Sequence, residues 1–284
     1  MQKTLKKVRW FTIFVVPTLL AFLASFLAPF LMGIYLSFCK FTTVTNARWV
    51  GVDNYLRVFT DPGGDFVRAL GFTALFTVVS VVTVNLFAFA LALLLTRGLR
   101  GTNLFRTVFF MPNLIGGIVL GYIWQIIING VLLGFGVDIT FDAKYGFWGL
   151  VVLMNWQLIG YMMIIYVAGL QNVPPELIEA AEIDGASGWQ TLIHVTLPNV
   201  MPSVTICTFL TLTNSFKLFD QNLALTGGAP GKQTAMLALD IYNTFYKRTG
   251  WEGVGQAKAV LFFLMVGAIA FIQLRLTRSK EVEN

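Results

Sequence analysis

The chain has 284 residues, 56% of them hydrophobic and only 12% charged, with a mean hydropathy of +0.73. A soluble domain carries about 25% charged residues, so most of this surface has to face lipid rather than water. The net charge of +6 does not argue for nucleic acid, because much of the basic excess flanks apolar runs, where it orients helices in a bilayer. Two distant cysteines, Cys39 and Cys207, and one histidine, His194, exclude a disulfide framework, a thiolate metal site and a His-based metal cluster.

A bilayer core needs about 20 apolar residues in helical form, and six stretches qualify. The first, Trp10–Phe38, is too long for a signal-peptide core and reads as a retained anchor. Pro17 and Pro29 predict kinks or a broken start within it. The others run Leu70–Leu95, Thr107–Ile128, Phe147–Leu170, Val200–Phe219 and Ala259–Leu276. The expected fold class is therefore an all-α membrane protein with six transmembrane helices.

Lys3, Lys6, Lys7 and Arg9 precede the first helix, Arg97, Arg100 and Arg106 follow the second, and Arg275, Arg278 and Lys280 follow the last. Six crossings put all of these on one side, which the positive-inside rule assigns to the cytoplasm together with both termini. The expected organisation is one transmembrane domain over residues 1–284. Its core is 70–276, and residues 1–69 supply helix 1 and an extracytoplasmic loop. The loop between helices 4 and 5 is also cytoplasmic by this count. It contains no Lys or Arg, and it carries Glu176, Glu179, Glu182 and Asp184. A loop exempt from the usual bias is expected to be shaped by a protein partner.

Local signals give that loop, residues 174–198, a shape. Pro174 and Pro175 suit a helix start, and Glu176 and Glu179 favour the positive end of its dipole. Residues 177–183 predict a short strong helix with Ile178, Ala181 and Ile183 as apolar knobs. Asp184-Gly185 is a turn signal, with Gly185 free to adopt positive φ. Ser187 is placed to cap a second helix through about Val195, with Pro198 breaking it before helix 5.

The spacing is specific. Glu179-Ala180-Ala181, Gly185, Val195, Leu197 and Pro198 follow the order E-A-A, Gly, aliphatic, x, L-P. This resembles the cytoplasmic coupling loop of bacterial ABC importer permeases, with Val195 where Ile is usual. Three further segments resemble the carbohydrate-uptake branch of that family: WVGVDNYLRVFTDPGGDFVRAL, RTVFFMPNLIGGIVLGYIWQIIINGVLLG and LTGGAPGKQTAMLALDIYNTFY. The resemblance implies that Glu179, Ala180, Ala181, Asp184, Gly185, Leu197 and Pro198 couple to a separate ATP-binding cassette subunit. It also implies a second, homologous permease, an extracytoplasmic solute-binding protein and a bacterial inner-membrane location. No cofactor is expected in this chain, because its partners hydrolyse the ATP.

Residues 227–234, GGAPGKQT, superficially look like a phosphate-binding loop. They fail on mechanism, because Thr226 stands where that motif needs Gly and Gln233 where it needs Ser or Thr. No nucleotide site of its own is therefore expected.

Polar groups at membrane depth usually face the bundle interior or a water-filled path. Helix 5 carries Thr211, Thr213, Asn214, Ser215 and Lys217, and helix 4 carries Asn155, Gln157 and Tyr161. In sugar permeases resembling this one, helices 4 and 5 contact substrate, which places Gln157, Tyr161, Thr211, Asn214 and Ser215 on the pathway. Asn, Ser and Thr also hold membrane helices together, so each has a structural alternative. Lys217 is expected to pair with Asp220, or else to bind an anionic solute. The expected activity is oligosaccharide import. A permease for glycerol phosphate or another anion, and an ion-coupled secondary carrier, remain open as alternatives. A membrane enzyme is disfavoured for want of a His, Asp or Glu cluster at membrane depth.

Overall fold

A computed structural model describes residues 2–61, 65–98 and 100–278. Lys280 and residues 62–64 of the segment quoted above lie outside them. The helices and short strands, in chain order, are α1 (Gln2–Phe22), α2 (Ala28–Ser37), β1 (Cys39–Lys40), β2 (Arg48–Trp49), α3 (Asp53–Thr60), α4 (Asp65–Leu95), α5 (Thr102–Phe110), α6 (Gly117–Leu132), α7 (Ala143–Gln171), α8 (Pro175–Ile183), α9 (Gly188–Thr191), α10 (Leu197–Asn199), α11 (Met201–Phe216), α12 (Asp220–Leu225), α13 (Leu237–Lys247) and α14 (Glu252–Arg278).

Among the described residues, five helical stretches are long and apolar enough to cross a membrane: Trp10–Ser37, Asp65–Leu95, Gly117–Phe135, Ala143–Gln171 and Glu252–Leu276. A sixth is a bent pair, Gly188–Asn199 with Met201–Phe216, that turns by 71°. Two expected spans are thus redrawn. The third does not run unbroken from Thr107, because Pro112 and a 3₁₀ turn at Met111–Leu114 interrupt it and the long helix starts only at Gly117. The fifth is a 16-residue helix whose first turn contains Pro202 and which reaches membrane length only with its bent arm.

Proline acts in the same way at two places. A π-turn at Leu23–Leu27 precedes Pro29, with Ala28 N–H bonded five residues back to Leu23. A second π-turn at Leu192–Thr196 precedes Pro198, with Leu197 N–H bonded back to Leu192. Widening the preceding turn makes room for a ring that would otherwise strike the carbonyl of that turn. Pro198 consequently does not end its helix. The arm continues to Asn199, and the break falls at Val200.

The chain divides into two units, Met1–Gly64 with Ile241–Phe263, and Asp65–Asp240 with Leu264–Asn284. In the second, α4 and α7 form the core. Val84, Ala88 and Ala92 recur every fourth residue of α4 and are fully buried, as are Leu150, Leu153 and Met162 of α7. Small residues in such a stripe let two helices approach closely where lipid offers no hydrophobic driving force. Gly160 takes this furthest, since a Cβ there would collide with the backbone carbonyl of Phe109. Polar joints complete the packing. Tyr166 Oη donates to Asn85 Oδ1 at 2.8 Å, Asn85 Nδ2 donates to Thr211 Oγ1 at 3.3 Å, and Asn155 Nδ2 donates to Thr83 Oγ1 at 2.9 Å.

Candidate functional site: a polar cleft and an exposed two-helix loop

A cleft of about 470 Å³ opens between α7, α11 and α12. Gln157 and Tyr161 line it from α7, Asn214 from α11, Gln221 from α12, and Asn113 from the 3₁₀ turn that interrupts the third span. Lys217, just past α11, completes the polar wall. Gln221 Nε2 donates to Gln157 Oε1 at 2.8 Å. The polar part of the wall is four amides, one phenol and one ammonium, a set that meets hydroxyl groups as both donor and acceptor, and Met154, Leu158, Leu210 and Leu218 line the rest.

Of the five residues expected on a solute pathway, the fold brings Gln157, Tyr161 and Asn214 together here. Thr211 and Ser215 stand elsewhere. Both are fully buried and donate to backbone carbonyls one turn back, Cys207 and Thr211 respectively. Thr211 also receives the Asn85 amide, so it serves the joint between α4 and α11. The expected Lys217–Asp220 pair does not form. Neither residue makes an ion pair among the described residues, and Lys217 sits on the cleft wall instead. Asn113 and Gln221 went unread in the sequence. The signals for Asn113 were its place inside the family-like segment that begins at Arg106 and the proline beside it, Pro112, that interrupts an apolar run.

The second candidate is the loop between α7 and α11. Pro175 opens α8, and Asp184 ends it. Gly185 follows at φ +77°, its N–H donating to Glu182 O at 3.0 Å while Ala186 N–H donates to Ala181 O at 2.9 Å. This is a Schellman ending, in which a left-handed residue lets the chain satisfy the last helical carbonyls. Nothing would touch a Cβ on Gly185, so backbone conformation alone calls for glycine. Ser187 then caps α9 in a reciprocal capping box with Gln190.

Glu179, Ala180, Asp184 and Gly185 are exposed on this loop, while Ala181, Leu197 and Pro198 are half-buried. One of the expected apolar knobs is redirected, because Ile178 packs inward against the bundle core. The large exposed apolar groups are Ile183 at 86%, Trp189 at 69%, Leu177 at 42% and Ile193 at 38%. A cleft of about 630 Å³ separates the loop from the ends of α4 and α7, with Arg97 and Glu182 among its lining residues.

The glycine-rich segment after α12 is held in place by its own fold. Lys232, the residue a phosphate loop would aim at its ligand, is bound to Asp65 at 2.7 Å. Asn222 pins the same segment through Thr226, the Thr234 carbonyl and the Met236 N–H.

Long apolar helices, a polar cleft between them and a charged two-helix loop on the exposed surface define a multi-pass membrane transport subunit. The chain belongs to the family of binding-protein-dependent transport system inner membrane components, whose profile matches residues 85–280. It is therefore a permease subunit of an ABC importer and not an enzyme. It is 42% identical to the probable starch degradation products transport system permease protein AmyD of Thermoanaerobacterium thermosulfurigenes, over 96% of both chains. It is 32% identical to the multiple sugar-binding transport system permease protein MsmF of Streptococcus mutans, over 99% of both. In fold it is similar to a chain of a bacterial ABC transporter involved in the import of the acidic polysaccharide alginate, with a TM-score of 0.81, 19% identity and 98% of each chain covered.

Proposed function

We propose that this permease imports an oligosaccharide, passing it through the cleft formed by Gln157, Tyr161, Asn214, Asn113 and Gln221. The observation that carries this reading is the cleft wall itself, where amides and a phenol offer neutral donors and acceptors beside a ring face. The chain's similarity to AmyD, a probable permease for starch degradation products, and to MsmF, a permease of a multiple sugar-binding transport system, supports the substrate class. Thr211 and Ser215 are assigned to helix packing in this reading.

The rest of the machine is inferred from the same family. An ATP-binding cassette subunit seats on the loop, with Leu177, Ile183 and Trp189 buried in its cleft and Glu179 paired to a basic residue. A second, homologous permease supplies the other half of the pathway, and a solute-binding protein delivers sugar to the face opposite the loop. Both termini lie in the cytoplasm of a bacterial cell. ATP-driven closure moves the loop as a body, and the arm Gly188–Asn199 passes that motion across the 71° bend to α11, which carries Asn214.

The test is uptake by the reconstituted transporter. Malto-oligosaccharides are expected to compete for uptake, and sugar phosphates are not. A second reading, an anionic solute, is favoured by Lys217 standing without an ion pair on the cleft wall. Lys217→Gln separates the two. It leaves uptake of a neutral sugar nearly unchanged and abolishes uptake of an anion.

A further inference from the structure

The element Trp49-Val50-Gly51-Val52-Asp53-Asn54-Tyr55 has no part in the cleft or the loop, yet the structure gives it a task at the end of the first span. A helix leaves its last carbonyls without partners, and at the edge of a bilayer that lack is costly. Here three consecutive carbonyls are satisfied from one short excursion of chain. Asn54 Nδ2 donates to Ser37 O and to Cys39 O, both at 2.9 Å, and Val50 N–H donates to Phe38 O at 2.8 Å. Tyr55 Oη shares a 2.7 Å hydrogen bond with Ser37 Oγ. The two-residue strands β1 and β2 pair Cys39 with Trp49, and Gly51 at φ +62° turns the chain into α3. Thus α3 is fastened by its first turn to the terminus of a membrane helix.

The face of α3 that turns away from this clamp is apolar. Val52, Leu56 and Phe59, at i, i+4 and i+7, are exposed at 60%, 60% and 59%, while Asn54 and Val58 are buried. Beside them lies an aromatic group. Trp49 stacks on Phe38 at 5.3 Å and meets Tyr35 at 5.9 Å, and Phe38 meets Tyr55 at 5.1 Å. Clustered Trp and Tyr mark the headgroup level of membrane proteins. A short helix with one apolar face, tied to that level, has lipid within reach of that face.

We propose that α3 is an interfacial foot. Its Val52–Leu56–Phe59 face enters the headgroup–acyl boundary of the leaflet at which Trp10–Ser37 ends, and the Asn54 clamp sets its depth. The proposal rests on reading Trp10–Ser37 as a membrane span, and it is independent of the solute carried. Its partner is the lipid surface, not a protein.

The test uses the full chain in lipid nanodiscs, spin-labelled singly at Val52→Cys, Leu56→Cys or Phe59→Cys. All three positions are exposed, so labelling leaves the packing intact. Cys39 and Cys207 are buried, and the unsubstituted protein serves as the labelling blank. Labels at the three sites are expected to collide more often with oxygen, which concentrates in lipid, than with a water-soluble nickel chelate. A label at Ile183→Cys is expected to show the reverse. Adding Asn54→Ala to the Leu56 label is expected to move it toward the aqueous profile. Labels on α3 that match Ile183, or that are shielded from both reagents by a covering protein, would overturn the foot. A lipid profile at Ile183 would instead overturn the loop reading and leave the foot to be judged on its own three labels.

Discussion

Gln221 Nε2 donates to Gln157 Oε1 at 2.8 Å, joining a short helix beyond the fifth span to the middle of the fourth. The bond fixes one face of the polar cleft that both residues line. It also ties the cleft wall to the fifth span, because α12 follows α11 after three residues.

Removing either amide tests this joint. Gln157→Ala and Gln221→Ala are each expected to raise the KM for uptake about two- to tenfold, since a net neutral hydrogen bond contributes about 0.5–1.5 kcal/mol. Because the two share one interaction, the double variant is expected to lose less than the sum. Uptake kinetics in proteoliposomes checks this, and strictly additive losses would show that the pair does not act as a unit.

Gly185 tests the loop. Forcing a side chain into its left-handed conformation costs about 1–2 kcal/mol, and Asn tolerates that conformation better than Ala. The expected order of remaining uptake is Gly185→Asn, then Gly185→Ala, then Gly185→Pro. Proline cannot reach φ +77° and deletes the N–H that bonds Glu182. Membrane insertion is expected to be unchanged throughout, so the readout is uptake against the amount of protein in the membrane. Full uptake by Gly185→Pro would remove the loop from the coupling path.

Gly160 tests the core. A Cβ there would overlap the carbonyl of Phe109, a backbone group that cannot swing aside. Gly160→Ala is expected to destabilise by about 1–3 kcal/mol or more, as overpacking does. Gly130→Ala, where a Cβ meets open space, is expected to be neutral or mildly stabilising because alanine favours helix. Thermal unfolding in detergent distinguishes the two.

Asp142 tests a helix end. Its carboxylate caps α7 by accepting the Lys144 N–H at 2.9 Å, and that bond, with the Lys144 charge, holds its pKa below the ordinary 3.8. A depressed carboxylate contributes stability above its unfolded pKa and loses it as pH falls through the lower folded value. The contribution of Asp142 is therefore expected to be complete at neutral pH and to fade only below about pH 4. Asp142→Asn, which keeps a capping oxygen, is expected to flatten that part of the acid unfolding curve while preserving stability at pH 7.

Much of the loop was legible before folding because its determinants are local. Gly185 and Ser187 set turn and cap through bonds that span at most five positions, so reading Ala181 to Gln190 in order suffices. Which way Ile178 points was not legible. Its spacing fits either face of α8, and only the neighbouring bundle core decides that it turns inward.

Membrane character, approximate spans, the charged loop and the family could all be read from the order of residues alone. These follow from composition, run length and short-range spacing, each a property of neighbouring residues. The cleft emerged only on folding. Folding withdrew Thr211 and Ser215 into helix packing, freed Lys217 from Asp220, and recruited Asn113 and Gln221. The physical reason is rotation. Each helical residue turns its side chain by about 100°, and a proline break or a π-turn resets that phase. Helices that look uniformly polar along one stretch therefore divide between wall and joint only once their partners are in place.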